Sequence, residues 1–290
     1  MYKRQELYVN VNGAWKTASN YYVNVNGTWK EGSNLYAKVS SAWKESAASG
    51  GGGGSGLVTS NLVLHLDAGD SNSYSGSGTT WSDISGNNND FTLINGPTYS
   101  SNDGGKFVFD GSNDHARSAI NQSFFQFGTD DYSYGGWIKY DSIGIYESLL
   151  ACGLHTYTGS WQFDVDSSQF RNVFNGASAF NTGYAANNTD TINTWYYLFL
   201  VADRSENELK FYVNGSLEAT ATNSDYGSLD VGNFSGYSTS SDNVMKIAQN
   251  RSNSRYIDGE IAQIHVYKGK ALTASEVLQN YNADKSTYGY

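Results

Sequence analysis

NTWYYLFLVADRSENELKFYVNGSLEA, residues 193–219, is the stretch that decides the fold class. Thr194–Ala202 is fully apolar apart from its first residue and is rich in aromatic and β-branched side chains, which predicts a buried strand. Glu206-Asn207-Glu208 falls in a hairpin turn. A second strand follows over Leu209–Val213, and Asn214-Gly215 closes another turn. Asn-Gly suits a two-residue type I′ turn because both central positions tolerate φ > 0. FYV is therefore expected opposite SLEATA.

Reading outward, similar short runs recur: LVLHL (62–66), KFVFD (106–110), YSYGGWIKY (132–140), SWQFDV (160–165), QFRNVF (169–174) and AQIHVY (262–267). Loops rich in Gly, Asn and Ser separate them. One segment reads as a helix, LTASEVLQNYN (272–282), opened by a Thr273-to-Glu276 capping box. Val277, Leu278 and Tyr281 fall on one stripe of it. Many short strands without βαβ alternation predict an all-β protein, a two-sheet antiparallel jelly-roll sandwich with one short C-terminal helix.

Four segments resemble the laminin-G-like, concanavalin A-like jelly rolls. KFVFDGSNDHA, YSYGGWIKY, the opening stretch and IDGEIAQIHVYKGKALTASEVLQNYN resemble that family's blocks in its own order, over about residues 60–285. The resemblance implies Trp137 and TWYYLFLVA in the layer between the sheets, and the capped helix across the end of the sandwich. It also implies Ca²⁺ at the sandwich rim. The oxygen-rich loops LDAGDSNSY and WSDISGNNND offer Asp67, Asp70, Asp83 and Asn87 as ligands. The competing reading makes these Asp and Asn side chains turn residues with local hydrogen bonds.

The N-terminal region is different. YVNVNGAWK, YVNVNGTWK and YAKVSSAWK repeat at a strict period of 14 residues. Tyr8, Tyr22 and Tyr36 open the units, and Trp15, Trp29 and Trp43 recur, each before Lys. Folding about Asn12-Gly13 pairs Val11 with Ala14, Asn10 with Trp15 and Val9 with Lys16, giving one Val-rich face and one Tyr/Trp face. So small a segment has little core of its own. Its Tyr/Trp faces are expected to dock on a larger assembly or on other copies of the chain, with a trimer favoured. The alternative is a meander lying on the large domain. Three parts follow: 1–48, hairpin repeats for anchoring and oligomerisation; 49–56, a flexible Gly/Ser linker; 57–290, the jelly roll. The tandem W-K repeats resemble those of bacteriophage tail-fibre and virion structural proteins, and the resemblance implies other virion proteins as the partners of residues 1–48.

Composition narrows the function. The 290 residues hold 32 Gly and 23 Tyr but one Pro and one Cys. Net charge is -10, with six Lys/Arg against three Asp/Glu in residues 1–48 and a strong acidic excess beyond. An acidic large domain repels phosphates, which argues against nucleic-acid binding. The first residues lack an apolar signal core and no run of 18 apolar residues occurs, so neither signal-directed secretion nor membrane insertion is expected. Cys152, alone in an apolar run, reads as a buried inert thiol.

Catalytic patterns are sparse. His65, His115, His155 and His265 lack zinc spacing, and no phosphate-cradling Gly loop precedes a helix. Asp164 and Asp166 lie on one side of a strand, but the third acid of the superfamily's glucanase pattern is missing. Sugar sites want an exposed aromatic plate beside amides and carboxylates; Trp81, Tyr157, Trp161 and Tyr237 are the candidates in loops, and Trp161 reads equally well as core. The expectation is a non-enzymatic phage virion protein, assembled in the bacterial cytoplasm, with a head that touches host-surface polysaccharide. The alternatives are a bacterial carbohydrate-binding or adhesion module, and a glycan hydrolase with an atypical carboxylate pair.

Overall fold

The computed structural model describes residues 56–290, apart from 167–168, 176–179, 185–190, 235–236 and 238, and six short strands within residues 1–55. The chain divides into two compact units, Met1–Gly56 and Leu57–Tyr290.

In the first unit β1 (Tyr8–Val11) pairs with β2 (Ala14–Thr17), β3 (Tyr22–Val25) with β4 (Thr28–Glu31), and β5 (Tyr36–Val39) with β6 (Ala42–Glu45). Each pair is its own two-stranded sheet. Val11 faces Ala14, Asn10 faces Trp15 and Val9 faces Lys16, and the other two pairs keep that register. The surroundings of the six aromatics expected to anchor the chain (Tyr8, Trp15, Tyr22, Trp29, Tyr36 and Trp43), the turn pairs between the strands, and linker residues 49–55 lie outside the described residues.

The second unit is a sandwich of two eight-stranded antiparallel sheets. One sheet orders β10 (Thr98–Ser100), β11 (Lys106–Asp110), β22 (Asp258–Lys268), β13 (Tyr132–Tyr140), β18 (Trp195–Asp203), β19 (Glu208–Val213) and β20 (Ser216–Thr222), and β7 (Leu62–Asp67) also pairs with β22. The second sheet orders β17 (Phe180–Tyr184), β16 (Gln169–Asn175), β15 (Trp161–Asp166), β14 (Ile145–Cys152), β21 (Met245–Ile247), β12 (His115–Ser118), β9 (Phe91–Ile94) and β8 (Thr80–Trp81). Helix α1 (Ala274–Asp284) packs on the outer side of the first sheet.

β18 shows why its sequence has no polar alternation. Tyr196, Leu198, Leu200 and Ala202 enter the layer between the sheets. Trp195, Tyr197, Phe199 and Val201 point the other way, into a second apolar cluster with Val277 and Tyr281 of α1. A strand buried on both faces loses the period of two. The neighbouring β13 corrects one expectation. Tyr132, Tyr134, Ile138 and Tyr140 fill the inter-sheet layer, so the pleat turns Trp137 outward. Its ring stacks on Tyr288 at 4.3 Å and Tyr281 at 5.6 Å, beneath the C-terminal segment.

The helix begins as the sequence requires. Thr273 caps it, with the reciprocal Glu276 contact in place. It lies on the face of a sheet, not across the end of the sandwich. Leu278 is exposed, and Asn280 is buried in its stead, accepting from the Val58 amide at 2.8 Å and donating to Tyr267 Oη at 3.0 Å. The Asn214-Gly215 hairpin forms with both residues at positive φ, pairing Val213 with Ser216. A Cβ on Gly215 would meet Leu278 at 2.9 Å, so the turn also lets the helix approach. Cys152 faces the core and burial pushes its thiol well up. No helix among the described residues is long and apolar enough to cross a membrane.

Candidate functional site

The outer side of the second sheet has the opposite character. Along β15, Trp161, Phe163 and Val165 enter the core, so Gln162, Asp164 and Asp166 face away from it. β16 sets Arg171 opposite Asp164. Arg171 Nε donates to Asp164 Oδ1 at 2.9 Å and Nη2 to Oδ2 at 2.7 Å, while Nη1 lies 3.3 Å from Asp166 Oδ2. Gln162 donates to the same Asp164 carboxylate and accepts from Arg251 Nε at 3.2 Å. Arg251 Nη1 reaches the Ser160 carbonyl at 3.1 Å and its hydroxyl at 3.0 Å.

This chain of charged and amide groups is buried and internally bonded. Burial raises the Asp164 carboxyl, against the pull of Arg171, and draws the Arg251 guanidinium down to about 10. Desolvation of such a pair offsets most of its Coulomb attraction, so the network adds little net stability. What it provides is a rigid polar platform.

Over that platform sits Tyr146. The register of β14 against β15 slips between Ile145 and Glu147, which makes Tyr146 a bulged residue. Its φ is 60°, in the left-handed region, at a cost of about 1–2 kcal/mol for a non-glycine residue. Bulges re-aim side chains, and here the ring lies 4.4 Å from the Arg171 guanidinium carbon. Tyr146 is 40% exposed, beside the equally open Ile145. An open aromatic ring braced by a guanidinium next to carboxylates suits a sugar, whose C–H face stacks while its hydroxyls find charged partners.

The aromatics read from sequence divide. Trp81 and Trp161 are 0% exposed and are corrections: Trp81 packs on Phe107 at 4.8 Å, and Trp161 stacks on Tyr134 at 4.7 Å. Trp161 shares its side of β15 with Phe163 and Val165, the core side, which settles its two open readings for the core. Tyr157 is a correction too, since its ring is buried; it backs Tyr237, on which it stacks at 3.9 Å, and its Oη lies 2.8 Å from Ser240 Oγ. Tyr237 is 43% exposed and offers a second plate. Tyr146 has no signal in the sequence, because Ile145-Tyr146-Glu147 reads as ordinary strand.

The four expected calcium ligands also separate. Asp83 is spent on backbone amides, accepting from Ser85 and Asn89 of its own loop and from His65 of β7 at 2.9–3.0 Å. Asn87 Nδ2 donates to the Leu62 carbonyl at 3.2 Å. These two play the turn role. Asp67 and Asp70 instead line a polar pocket of about 420 Å³ with Gly104, Gln263, Asp284 and Tyr288. Asp67 accepts from the Gly69 amide at 2.8 Å and from Gln263 Nε2 at 2.9 Å. No lysine or arginine among the described residues forms an ion pair with Asp67, Asp70 or Asp284. Burial pushes the Asp67 and Asp284 carboxyls up. Among the described residues, no three His, Cys, Asp or Glu side chains stand already converged around a point.

A laminin G family model, described as the concanavalin A-like lectin/glucanases superfamily, matches residues 110–278. The chain belongs to that superfamily. No curated protein sequence matches the chain. Among solved structures, the binding domain of botulinum neurotoxin DC in complex with rat synaptotagmin II aligns at TM-score 0.58 and 12% identity, covering 78% of this chain and 52% of that one. A structure of botulinum neurotoxin type C, whose cell entry depends on interaction with two ganglioside molecules, aligns at TM-score 0.57 and 12% identity, with the same coverage. Domain 4 of an extracellular arabinanase from Geobacillus stearothermophilus, in complex with arabinotriose, aligns at TM-score 0.56 and 17% identity, covering 76% of this chain and 98% of that domain. The chain spans about half the length of the toxin binding domains. At these identities the likeness concerns the fold alone.

Proposed function

We propose that the chain is a non-enzymatic virion component whose head, residues 57–290, binds surface glycans through the outer side of the second sheet. The observation that carries the glycan reading is Tyr146: a strained, exposed ring held on the Arg171 guanidinium above a buried polar network. Strain at an exposed aromatic persists where the surroundings impose it, and such residues gather at ligand sites. The arabinanase domain in complex with arabinotriose supports this reading, since nearly all of that domain is covered. The toxin structures support it less, because about half of each toxin chain lies outside the match.

The carboxylates favour binding over hydrolysis. Asp164 and Asp166 share the Arg171 guanidinium, and Asp164 also takes a hydrogen bond from Gln162. A carboxylate so engaged is a poor nucleophile or general base. The repeats of residues 1–48 would anchor the head to the particle as an oligomer, a trimer in the favoured form, and several weak heads would gain avidity through effective concentration. A carbohydrate-binding or adhesion module of bacterial origin uses the same face and differs only in what the repeats hold.

Two experiments separate these readings. The full chain is screened on arrays of bacterial-surface and plant polysaccharides, with reducing-end release measured in parallel. Binding without turnover is expected; turnover lost in an Asp164→Asn variant would establish the hydrolase instead. A chain lacking residues 1–48 is expected to keep its glycan binding yet fail to join phage particles. Normal incorporation would remove the anchor.

A further inference from the structure

We propose that Lys246 and Asn253 form a self-modification site: Lys246 Nζ joins Asn253 Cγ in a side-chain amide bond, with Asp242 carrying the proton between them. The glycan reading plays no part in this inference.

The geometry begins at β21. Met245 and Ile247 enter the core, so the pleat turns Lys246 to the opposite side, where it is buried all the same. Lys246 Nζ donates to Asn253 Oδ1 at 2.6 Å and to the Gly153 carbonyl at 3.3 Å. Asn253 Nδ2 donates to Asp242 Oδ1 at 2.9 Å, and that oxygen lies 3.8 Å from Lys246 Nζ. Amine, amide and carboxylate thus close a triangle. The loop after β21 holds the amide there. Asn253 stands at φ 54°, its backbone N–H bonded to the Asn250 carbonyl at 3.2 Å, and Asn250 Oδ1 accepts from the Ser254 and Arg255 amides.

This arrangement differs from the other lysine contacts of the domain. Lys106, Lys139, Lys210 and Lys270 each touch a carboxylate at 3.0 Å or less. Lys246, the more deeply buried, makes its shortest contact to a neutral amide, with the carboxylate set back behind it. A carbonyl bond is about 1.2 Å long, so Nζ lies within about 3.8 Å of Asn253 Cγ. That is close to the about 3–3.5 Å of a near-attack arrangement.

The amine must be neutral to attack. Burial draws the ammonium down to about 8. Arg117, opposite on β12, pushes the same way, while Asp242 opposes it. His115 of β12 is itself kept neutral by burial, and the Cys152 thiol of β14 stays protonated. The Nζ lone pair then bonds to Cγ. The Asp242 carboxylate takes one proton from that nitrogen and passes it to Nδ2. The Cγ–Nδ2 bond breaks with its electron pair, and ammonia leaves through the exposed side of Asn253. One amide replaces another, nothing is oxidised or reduced, and no co-reactant is needed. The product removes a buried charge and fastens to β21 the loop that carries Arg251 to Gln162 and Ser160. Until the bond forms, Lys246 keeps its ammonium, and any pH dependence of that group belongs to the unreacted chain.

The full chain is held at about pH 9, where much of the amine is neutral, then denatured and weighed by mass spectrometry. Its mass is expected to fall below the sequence value by one ammonia, and trypsin should no longer cut after Lys246. Lys246→Met and Asn253→Ala should both keep the full sequence mass; the second, at an exposed position, guards against a folding failure. Asp242→Asn keeps nucleophile and acceptor and should form the bond at least about a hundredfold more slowly. An unaltered chain at full mass would overturn the proposal. So would ammonia loss that persists in Lys246→Met with trypsin still cutting after Lys246 in the unaltered chain, the signature of a succinimide at Asn253. Bond formation at the parent rate in Asp242→Asn would overturn the three-residue mechanism.

Discussion

The two outer faces of the sandwich stand in contrast. On the first sheet, Trp137, Tyr197, Phe199 and Tyr267 face outward and the C-terminal helix covers them. On the second sheet, the same pleat positions carry Gln162, Asp164, Asp166 and Arg171, and Tyr146 stands open beside them. An apolar outer face needs a permanent cover and serves stability. A polar outer face, already bonded within itself, is free to meet a ligand. Superfamily membership alone does not make this distinction; the outward side chains do.

The covered face gives the largest expected effect. Trp137→Ala removes the ring on which Tyr281 and Tyr288 stack, and should cost about 3–5 kcal/mol in urea unfolding. A cost under about 1 kcal/mol would show that the helix does not depend on that face. On the polar face, Arg171→Met alone strands the buried Asp164 carboxylate and should cost about 3 kcal/mol or more. Adding Asp164→Leu should recover much of the loss. A double variant as damaged as the sum of the single ones would make the network a true source of stability.

Lys246, in β21 on the same side, gives a pH test. Burial draws its ammonium down to about 8, and Asp242 opposes that. The unfolded chain holds this proton up to about 10.4. Between those values the unfolded state binds more protons, so this group's contribution to stability rises with pH and its cost is fully present below pH 8. Lys246→Met should therefore be favoured over the parent most at pH 7, by about 3 kcal/mol at most, less any loss from the Asn253 contact. An advantage that grows toward pH 10 would reverse the sign. The smallest effect belongs to Tyr146. Tyr146→Gly relieves a left-handed residue and gives up a cation–π contact, so stability should move by about 1 kcal/mol or less.

Much of the fold was legible because it rests on local chemistry. Asn214-Gly215 specifies its own turn, and Thr273 with Glu276 specifies the helix start. The Trp137 error has a plain origin. In a strand buried on both faces, composition does not say which face meets the partner sheet and which meets the helix. Trp81 and Trp161 were misplaced because aromatics in short polar surroundings resemble loop plates, although Trp161 shares parity with two core residues. Tyr146 depends on a bulge, which is a property of two paired strands rather than of either one. Asp284 and Gln263 join Asp67 only after the C-terminal strand and helix return to the first strand of the sandwich. Asp83 and Asn87, four residues apart, look in the sequence like a local oxygen-rich set, but hydrogen bonds take up both.

The most direct test sets the full chain and its Tyr146→Ala variant side by side on the same glycan array. At least one polysaccharide should bind the parent and lose the variant, with both chains equally folded by circular dichroism. A glycan held equally by both, or none held by either, would contradict the assignment of the open face as the ligand surface.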